Sequence, residues 1–476
     1  MSSPDSRQLP LFVDLDGTLT KTDVSLETVL QLLGKNVFYL ALLPFWLARG
    51  LVYFKRQVAW RVQPMVSDLP YNEEFLDWLR QQKSSGRKLT LISASHQDYV
   101  SAVGEQVGLF DHAVGTQDVH LRADEKLKRI RELVPDGEFA YAGNSHSDLV
   151  IWSEASQAIL VNCTESLRRQ VNDGTRKVLH FDTRSNQLFT LLKAIRPHQW
   201  TKNLLVFSPL ILAHRIDEIP LLILATLAFV SFSLCASSVY ILNDMLDLTS
   251  DRCHPVKRSR PFAAGNLPLG VGFLLLPGLL LAAFTMALWL PWQFAALLAS
   301  YWLLSTLYSV LLKQFFLLDV LLLAILYTLR LFAGAAAVSV PTSDWLITFS
   351  LTLFLGLAMV KRVTELSNLR GSDSDNAAGR NYHLDHRRPL MVIGALISFS
   401  AVIIFAFYSN APETTRLYTE PAWLWLICPL LLLLLVRIWT HARSGKLHED
   451  PVLFAISDRF SQFVVLLCGV LIWLAI

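Results

Sequence analysis

Short apolar runs separated by amphipathic stretches characterise the first part of the chain. The runs lie at 11–14, 89–93, 138–143, 158–162 and 177–181. Strands that alternate with helices are typical of a parallel α/β sheet, whose ligands bind at the carboxyl ends of the strands. The pattern therefore predicts an α/β domain over residues 1–181.

One stretch of this domain, residues 24–70, interrupts the alternation and predicts a helical cap. It contains the apolar run 37–54, which is nearly long enough to cross a bilayer. Pro44 and Arg49 within the run argue against a spanning helix. We expect a cap that rests on the membrane surface or packs on the domain core.

After a linker at 182–195, apolar runs of about 20 residues recur, which is the length that crosses a bilayer. The predicted spans lie at 203–214, 219–242, 267–288, 292–311, 315–337, 344–360, 389–408, 421–439 and 460–476. The second domain, 196–476, is thus predicted to be all-α and polytopic, with about nine transmembrane helices. The pattern does not specify an oligomeric state.

Cations cluster in the loops that follow the second, sixth and eighth predicted spans. These are Arg252, Lys257, Arg258, Arg260, Lys361, Arg362, Arg370, Arg380, Arg387, Arg388, Arg443, Lys446 and Arg459, against Arg215 and Arg416 in the opposite loops. The positive-inside rule then places the ends of the even-numbered spans in the cytoplasm. Residues 1–10 are polar and do not resemble a signal peptide. We expect a protein of the cytoplasmic (inner) membrane with a cytoplasmic N-terminal domain.

Charge and cysteine content argue against two classes of function. The net charge is only +3, which gives no reason to expect nucleic-acid binding. The five cysteines form neither a CxxC pair nor a metal-ligand spacing, so a disulfide framework or a zinc site is not expected.

A stripe of carboxylates lies at the end of the second predicted span. Asp244, Asp247 and Asp251 follow the spacing i, i+3, i+7, and Asn243 precedes them. On a helix the three carboxylates would share one face. Carboxylates near hydrocarbon are costly unless cations bind them, and Mg²⁺ that bridges a substrate diphosphate would do so. The alternative is a solvated helix end followed by an ordinary basic loop.

The residues around this stripe resemble the UbiA superfamily of intramembrane prenyltransferases. That family carries NDxxDxxxD followed by HPxKxRP, matched here from Asn243-Asp244 to Arg260-Pro261, and 196–203 resembles its entry into the first helix. The resemblance covers about 194–476. It implies a Mg²⁺-dependent transferase whose metal ligands are Asp244, Asp247 and Asp251.

The second acidic motif of the family is replaced here. The place of the usual DxxxD holds Lys361-Arg362-Val363-Thr364-Glu365-Leu366. Cations at this place suit a substrate with additional phosphates. The KRxxEL arrangement is similar to the branch of the family that uses phosphoribosyl pyrophosphate and polyprenyl phosphate. Asp373 and Asp375 remain candidates for a displaced acidic motif. The candidate substrate-binding residues are Asn243, Lys257, Arg258, Arg260, Arg330, Lys361, Arg362 and Glu365.

Some polar residues near the membrane leave two interpretations open. Lys313 and Asp319 flank a predicted cytoplasmic turn and serve either the site or interface anchoring. The segment from His448 to Arg459 either closes the site or forms a solvated loop.

Two carboxylates follow the first predicted strand directly, in Asp14-Leu15-Asp16-Gly17-Thr18. This spacing places one carboxylate as the nucleophile at phosphorus and the other within reach of the leaving oxygen. DxDGT resembles the haloacid dehalogenase-like phosphatases. The resemblance assigns Asp14 as nucleophile and Asp16 as proton donor.

Further positions match this phosphatase family in order. Ser93 corresponds to the hydroxyl that holds the phosphoryl group, and Lys126 to the cation, with Lys128 as the alternative. Gly143 to Asp148 matches GDxxxD, with Asn144 where a carboxylate is usual. The implied Mg²⁺ ligands are Asp14, Asp16, Asn144 and Asp148. Loss of one negative charge at Asn144 is expected to weaken metal binding.

Three hypotheses follow from the sequence. The first is a bifunctional enzyme that transfers 5-phosphoribose to polyprenyl phosphate and then removes the 5-phosphate. The second is a prenyltransferase that joins a prenyl diphosphate to an aromatic or quinone-precursor acceptor, with a regulatory or weakly active phosphatase-like domain. The third makes the N-terminal domain a non-catalytic binding module.

Overall fold

The computed structural model describes residues 9–135, 137–172, 177–183, 186–368, 382–445, 447 and 451–476. The chain forms two compact units. The first combines Met1–Ile195 with Tyr240–Leu276, and the second combines Arg196–Val239 with Pro277–Ile476.

A six-stranded parallel sheet forms the centre of the first unit. Its strands are β1 (Leu11–Val13), β2 (Leu89–His96), β3 (His112–Thr116), β4 (Ala140–Gly143), β5 (Gln157–Val161) and β6 (Lys177–Phe181). They lie in the order β3-β2-β1-β4-β5-β6. Because all the strand pairs are parallel, the carboxyl ends of β1, β2 and β4 meet at one edge. The N-terminal α/β domain with a parallel sheet is confirmed.

The helices before residue 196 are α1 (Val24–Lys35), α2 (Leu43–Ala48), α3 (Leu51–Ala59), α4 (Glu73–Ser84), α5 (Gln97–Val107), α6 (Asp124–Leu133), α7 (Leu149–Glu154), α8 (Glu165–Asn172) and α9 (Gln187–Ile195). Helices α4 and α5 pack on one face of the sheet, and α6, α7 and α8 pack on the other. Side chains alternate along β1, so that Leu11 and Val13 pack in one core and Phe12 in the other. A strand buried on both faces is continuously apolar, as β1 is.

A helical insertion follows β1 and contains α1, α2 and α3, with 3₁₀ turns at Val37–Ala41 and Val66–Asp68. The apolar run 37–54 is not one helix, because Gly50 at φ +102° separates α2 from α3. The insertion has a small core of its own. That core consists of Val29, Leu32, Trp46, Val58 and Val62.

The remaining helices are α10 (Ser208–Leu212), α11 (Ile219–Leu246), α12 (Leu248–Cys253), α13 (Leu269–Ala287), α14 (Trp292–Val310), α15 (Leu318–Ala337), α16 (Asp344–Asn368), α17 (Arg387–Tyr408), α18 (Pro412–Leu417), α19 (Ile427–Arg443), α20 (Pro451–Ser457) and α21 (Arg459–Ala475). In the described parts of the chain, six segments are long and apolar enough to cross a membrane. They are Ile219–Leu246, Leu269–Ala287, Leu318–Ala337, Asp344–Asn368, Leu384–Tyr408 and Pro421–Arg443. An integral membrane protein is confirmed, whereas nine spans are not.

The predicted first span has a different structure. Residues 203–214 lie in a 3₁₀ helix, Pro197–Phe207, and in the five-residue α10. Side chains of this segment are engaged within the second unit, since Trp200 Nε1 donates to Ser237 and Asn203 Nδ2 donates to Ser233. Irregular backbone at membrane depth is tolerated where protein surrounds it.

Candidate functional site

The loop after β1 presents Asp14 at the carboxyl edge of the sheet. Asp14 is nearly buried, and its backbone N–H donates to the Ala142 carbonyl at 2.9 Å. Gly17 has φ +76°, a backbone conformation that favours glycine. A Cβ at this position would lie 2.0 Å from Asn144 Nδ2. The DxDGT loop is thereby packed against the loop after β4, as the two motifs require.

Lys126, at the start of α6, is the cation of this site. Its Nζ lies 2.8 Å from Asp14 Oδ1, 3.1 Å from the Tyr141 hydroxyl and 3.9 Å from Asp148 Oδ1. Lys128, the alternative, is 70% exposed and pairs with Glu125. The structure therefore favours Lys126 over Lys128.

Asp148 is held by several donors. The Tyr141 hydroxyl donates to Oδ1 at 2.8 Å, and the backbone N–H groups of Asn144 and Ser145 donate to Oδ2 at 3.1 and 2.9 Å. The Ser145 hydroxyl adds a bond of 2.9 Å to the same oxygen. These contacts fix the loop that matches the fourth phosphatase motif, and Tyr141 is a site residue that no motif indicated.

Burial controls the charge of these groups. It raises the pKa of Asp14 to about 7, because the nearby Lys126 only partly offsets the loss of water and the charges of Asp148 and Asp16 add to it. Burial opposes the charge of Lys126, yet Asp14 and Asp148 raise its pKa above the usual range. Burial also raises the pKa of Tyr141 well above its usual value, so that this hydroxyl remains a donor.

Asp16 has separate partners. Its Oδ1 accepts from the backbone N–H of Val24 at 2.8 Å, and its Oδ2 accepts from the hydroxyls of Ser93 at 3.0 Å and Ser95 at 2.7 Å. Ser93 is therefore at the site, where the motif predicts it, and Ser95 joins it because β2 extends three residues beyond the predicted strand. Both carboxylate oxygens of Asp16 thus accept hydrogen bonds, and its roles as proton donor and as metal ligand stay predictions.

The cap contributes a lysine that the motifs did not identify. Lys55 on α3 donates to the Ala94 carbonyl at 2.5 Å. Ala94 lies between Ser93 and Ser95 in the sequence. Burial lowers the pKa of Lys55, whereas the charges of Asp16 and Asp23 raise it. Burial lowers the pKa of the nearby His120 to about 4, so this ring is neutral at pH 7. Lys55 is therefore a cation of the cap that interacts electrostatically with the site carboxylate Asp16.

The donor set at this edge fits a magnesium ion. In the described ranges, no three acidic, histidine or cysteine side chains form a metal-like cluster. Mg²⁺, however, is commonly bound by one or two carboxylates and several waters. Asp14 and Asp148 supply carboxylates and Asn144 an amide oxygen. Burial is the main cause of the raised pKa of Asp14, and a cation bound beside it would favour the charged carboxylate.

The acidic stripe near residue 244 is interrupted in the structure. Helix α11 ends at Leu246 and α12 begins at Leu248, so the three carboxylates do not lie along one continuous helix. The prediction of a single helical stripe is wrong in this respect. Asp244 and Asp251 are nevertheless brought together, because Arg260 Nη1 lies 3.2 Å from Asp244 and 2.6 Å from Asp251.

Two features of this region fit a bound cation. The guanidinium of Arg260 places a positive charge between two buried carboxylates, Asp244 and Asp251, so this position already attracts cations. Asn243 Oδ1 is buried without a hydrogen-bond donor, and a carboxamide oxygen is a suitable Mg²⁺ ligand. Asp247, at the break between the helices, is partly exposed, and Lys257 and Arg258 lie in an exposed 3₁₀ turn.

An ion pair anchors this acidic loop to the cap. Arg252, next to Asp251, pairs with Glu27 on α1, and the two side chains are 8% and 1% exposed. Cys253 Sγ lies 3.7 Å from Asp68 Oδ2 at the end of the insertion. The loop between the two predicted spans is thus attached to the base of the cap.

In the second unit, a buried network surrounds Arg362. Its Nε lies 2.8 Å from Asp319 Oδ2, and the same guanidinium pairs with Glu365. Tyr308 accepts from Arg362 at 3.4 Å, and the Tyr382 hydroxyl donates to Asp319. Arg362 is 1% exposed, so the KRxxEL motif presents an arginine whose position is set by two carboxylates. Lys361, beside it, is half-buried.

Arg330 occupies a different buried network of the second unit. Its Nε donates to Asn203 Oδ1 at 2.9 Å and its Nη2 donates to the Tyr301 hydroxyl at 3.1 Å. Its guanidinium carbon lies 5.0 Å from the ring centres of Tyr301 and Tyr327. These contacts favour a positioning role for Arg330, and its phosphate contact stays a prediction.

Several other predicted residues have different outcomes. Asp373 and Asp375, Arg370 and Arg380, and Lys446 and 448–450 lie outside the described residues. Asp458 pairs with Arg437 at 3.0 Å and caps α21. Asp319, which the sequence left open between site and interface, belongs to the network of Arg362.

Comparison with known proteins places these sites in context. The model of the UbiA prenyltransferase family matches residues 204–464. An uncharacterized protein, y4nM, of Sinorhizobium fredii is 36% identical over 96% of this chain and 89% of its own length. A protein of Mycolicibacterium smegmatis named decaprenyl-phosphate phosphoribosyltransferase is 35% identical over 59% of this chain and 90% of its own.

A solved structure, described as a UbiA homolog from Archaeoglobus fulgidus bound to DMAPP and Mg2+, aligns with a TM-score of 0.46 at 14% identity. It covers 60% of this chain and 98% of that one. The family match includes the acidic stripe, Arg330 and the KRxxEL motif. The chain therefore belongs to the UbiA prenyltransferase family.

Proposed function

We propose that the chain is a bifunctional membrane enzyme. Its membrane domain transfers 5-phosphoribose from phosphoribosyl pyrophosphate to polyprenyl phosphate, and its N-terminal domain removes the 5-phosphate. The observation that carries the proposal is the Lys361-Arg362 pair in place of an acidic motif, in a chain 35% identical to a protein named decaprenyl-phosphate phosphoribosyltransferase. Cations at that position suit a donor with an additional phosphate.

The transfer is a substitution at C1 of the ribose. An oxygen of the lipid phosphate forms the new bond to C1, and the bond from C1 to the pyrophosphate oxygen breaks. The acceptor is already ionised and needs no strong base. Lys257, Arg258, Lys361 and Arg362 are proposed to bind the phosphates, since charge-assisted hydrogen bonds hold such groups firmly.

Mg²⁺ held by Asp244, Asp247 and Asp251, with Asn243 as a further oxygen donor, would neutralise the charge of the pyrophosphate leaving group. The protein contributes the arrangement of these donors. Arg260, which bridges Asp244 and Asp251, is proposed to turn toward a substrate phosphate when the donor binds.

The phosphatase reaction uses the first unit. Asp14 attacks the phosphorus of the 5-phosphate and forms an aspartyl-phosphate, while Asp16 donates a proton to the departing ribose oxygen. Lys126 neutralises the phosphoryl oxygens, and Ser93 donates a hydrogen bond to them. Water then cleaves the aspartyl-phosphate and releases inorganic phosphate. Asp14, Asn144 and Asp148 are proposed as the Mg²⁺ ligands.

A second candidate function is the joining of a prenyl diphosphate to an aromatic acceptor. The observation that favours it is the pair of carboxylates, Asp319 and Glu365, that gather around Arg362 near the place of the usual second acidic motif. In this candidate the N-terminal domain is regulatory or weakly active.

We also propose that the N-terminal domain faces the cytoplasm and that the protein resides in the inner (cytoplasmic) membrane. Among the described residues, the segment that follows α11 carries Arg252, Lys257, Arg258 and Arg260. Under the positive-inside rule this segment lies on the cytoplasmic side.

The substrate assignment is tested by a competition between donors. Membranes that contain the protein are supplied with labelled phosphoribosyl pyrophosphate and polyprenyl phosphate, or with labelled prenyl diphosphate and an aromatic acid. We expect label in the lipid product only with the first pair, and none with Asp244→Asn. Label transferred only with the second pair would reject the assignment.

The phosphatase assignment has its own test. Asp14→Asn is expected to abolish phosphate release while transfer continues, and Asn144→Asp to lower the magnesium concentration needed for phosphate release. Equal phosphate release by wild type and Asp14→Asn would favour the third hypothesis, a non-catalytic N-terminal module.

A further inference from the structure

The cap has an unusual charge distribution. Residues 28–67 contain no aspartate or glutamate but five cations, namely Lys35, Arg49, Lys55, Arg56 and Arg61. Of these, Lys35, Arg49 and Arg61 are exposed. A segment of forty residues whose charged side chains are all cationic is attracted to an anionic surface.

The same segment exposes large apolar side chains. Phe38 is 76% exposed, Phe45 69% and Trp60 68%. Leu40, Leu42, Leu47 and Leu51 are exposed as well. These exposed side chains do not belong to the core of the cap, which is a separate cluster around Trp46. A patch of this kind on a folded domain marks an interaction surface.

The partner of this surface can be inferred from its chemistry and its attachment. Basic residues interspersed with exposed Phe, Trp and Leu are typical of elements that lie in the headgroup region of a membrane. The base of the cap is bound to the loop between two predicted spans, through the Arg252–Glu27 pair and the approach of Gly265 to Lys21 and Pro70. The cap is therefore attached to the segment that connects two predicted spans.

We propose that the cap docks on the anionic lipid surface and that the phosphatase site consequently acts on phosphate esters carried by membrane lipids. This inference rests on the proposed phosphatase function and specifies its substrate class. Lys55 connects the two, since α3 carries it from the apolar cap to the Ala94 carbonyl beside Ser93 and Ser95. Lys55 thereby links the cap to the strand end that carries the two serines, and the charge of Asp16 acts on its ammonium.

Docking is tested without any activity measurement. The full chain, in a Cys253→Ser background, receives Phe45→Cys and an environment-sensitive fluorophore, and is reconstituted in nanodiscs of anionic lipid with brominated acyl chains. We expect quenching and a blue shift at position 45. The matched control is Val119→Cys, which is 53% exposed but lies outside the cap. It is expected to show neither change, and equal behaviour of the two labels would overturn the proposal.

The substrate class is tested by two phosphate esters. The variant Phe38→Glu/Phe45→Glu is expected to raise the KM for a lipid-linked phosphate roughly tenfold or more, because two aromatic side chains that would be buried in the lipid surface are replaced by anions. Hydrolysis of p-nitrophenyl phosphate should be unchanged in this variant, and Val119→Glu should change neither reaction. Equal loss with both esters would contradict the proposal.

The two proposals fail in different ways. If wild type does not hydrolyse either ester, the phosphatase function fails, and fluorophore quenching still decides whether the cap docks. If wild type hydrolyses both esters equally well and the label at position 45 is not quenched, the docking inference fails and the phosphatase function stands.

Discussion

At the scale of single residues, Lys126 holds the phosphatase-like site together. Three acidic or phenolic groups converge on its ammonium, and the nearest of them is the proposed nucleophile Asp14. A buried cation of this kind compensates the carboxylates at rest and the phosphoryl oxygens during reaction. The same helix carries Lys128 at its surface, which provides a natural comparison.

We expect Lys126→Met to lower phosphate release by roughly 10²-fold or more, the usual loss when a stabilising donor is removed from a reacting group. Lys128→Met should leave phosphate release unchanged, because this side chain is exposed. Phosphate release in membranes under saturating lipid substrate is the measurement. Similar rates for the two variants would contradict the assignment of Lys126.

The pH dependence of phosphate release follows from Asp14. Burial raises its pKa to about 7, so the carboxyl is protonated and not nucleophilic below that pH. At limiting Mg²⁺ we expect kcat/KM for p-nitrophenyl phosphate to rise between about pH 5 and 7 and to level above. Saturating Mg²⁺ favours the charged carboxylate and should move this rise to lower pH. A rate that is constant over this range would contradict the assignment.

The motifs identified Asp14, Asp148 and Lys126 because their spacing along the chain reflects the chemistry directly. The motifs did not identify Lys55, Ser95 and Tyr141. Each reaches the site through the fold: Lys55 on a cap helix, Ser95 on an extended β2 and Tyr141 within β4. The absence of acids around Lys55 was visible in the sequence and would have been a useful signal.

At the scale of elements, the contact between α1 and α12 ties the cap to the acidic loop. Glu27 and Arg252 are both nearly buried, and Arg252 follows the proposed metal ligand Asp251 directly. Removal of one partner from a buried pair leaves an uncompensated charge, which costs about 3–5 kcal/mol.

Glu27→Gln is therefore expected to lower the unfolding temperature of the detergent-solubilised protein and to expose the cap to limited proteolysis. Asp77→Asn breaks the exposed pair of Asp77 with Arg80 and should cost about 0–1 kcal/mol. Equal stability of the two variants would show that the α1–α12 contact does not hold the cap.

The contact between α15 and α16 positions Arg362. We expect Asp319→Asn to reduce phosphoribosyl transfer roughly tenfold or more, because a charge-assisted contact to the buried guanidinium is lost. Hydrolysis of p-nitrophenyl phosphate should persist. Asp344→Asn, at the exposed start of α16, is the control. An unchanged transfer rate with Asp319→Asn would show that the network around Arg362 does not support transfer.

Strands and helices with a pronounced apolar pattern in the sequence were predicted well, whereas those without such a pattern were not. Strand β3 was missed because it is five residues long and polar at both ends, with only Gly115 and Thr116 buried. The 3₁₀ helix at Pro197–Phe207 was mistaken for a span because its apolar residues resemble one in composition. Its structure depends on polar contacts such as Trp200 with Ser237, which a hydropathy pattern does not contain.

At the scale of the whole molecule, the two proposed reactions are consecutive. In the proposed scheme the transferase makes a lipid that bears a 5-phosphate, and the phosphatase removes that phosphate. Hydrolysis of the ester draws the transfer forward. The hydropathy pattern indicated two kinds of domain, but it could not group residues 240–276 with 1–195 in one unit, because contacts such as Arg252 with Glu27 join positions far apart in the chain.

Doubly labelled phosphoribosyl pyrophosphate, with ¹⁴C in the ribose and ³²P in the 5-phosphate, follows both proposed reactions in one experiment. The donor is incubated with polyprenyl phosphate and the full chain in nanodiscs. We expect ¹⁴C to enter the lipid while ³²P appears as inorganic phosphate, and Asp14→Asn to retain both labels in the lipid. Absence of ¹⁴C from the lipid, or release of ³²P that is insensitive to Asp14→Asn, would contradict the proposed function.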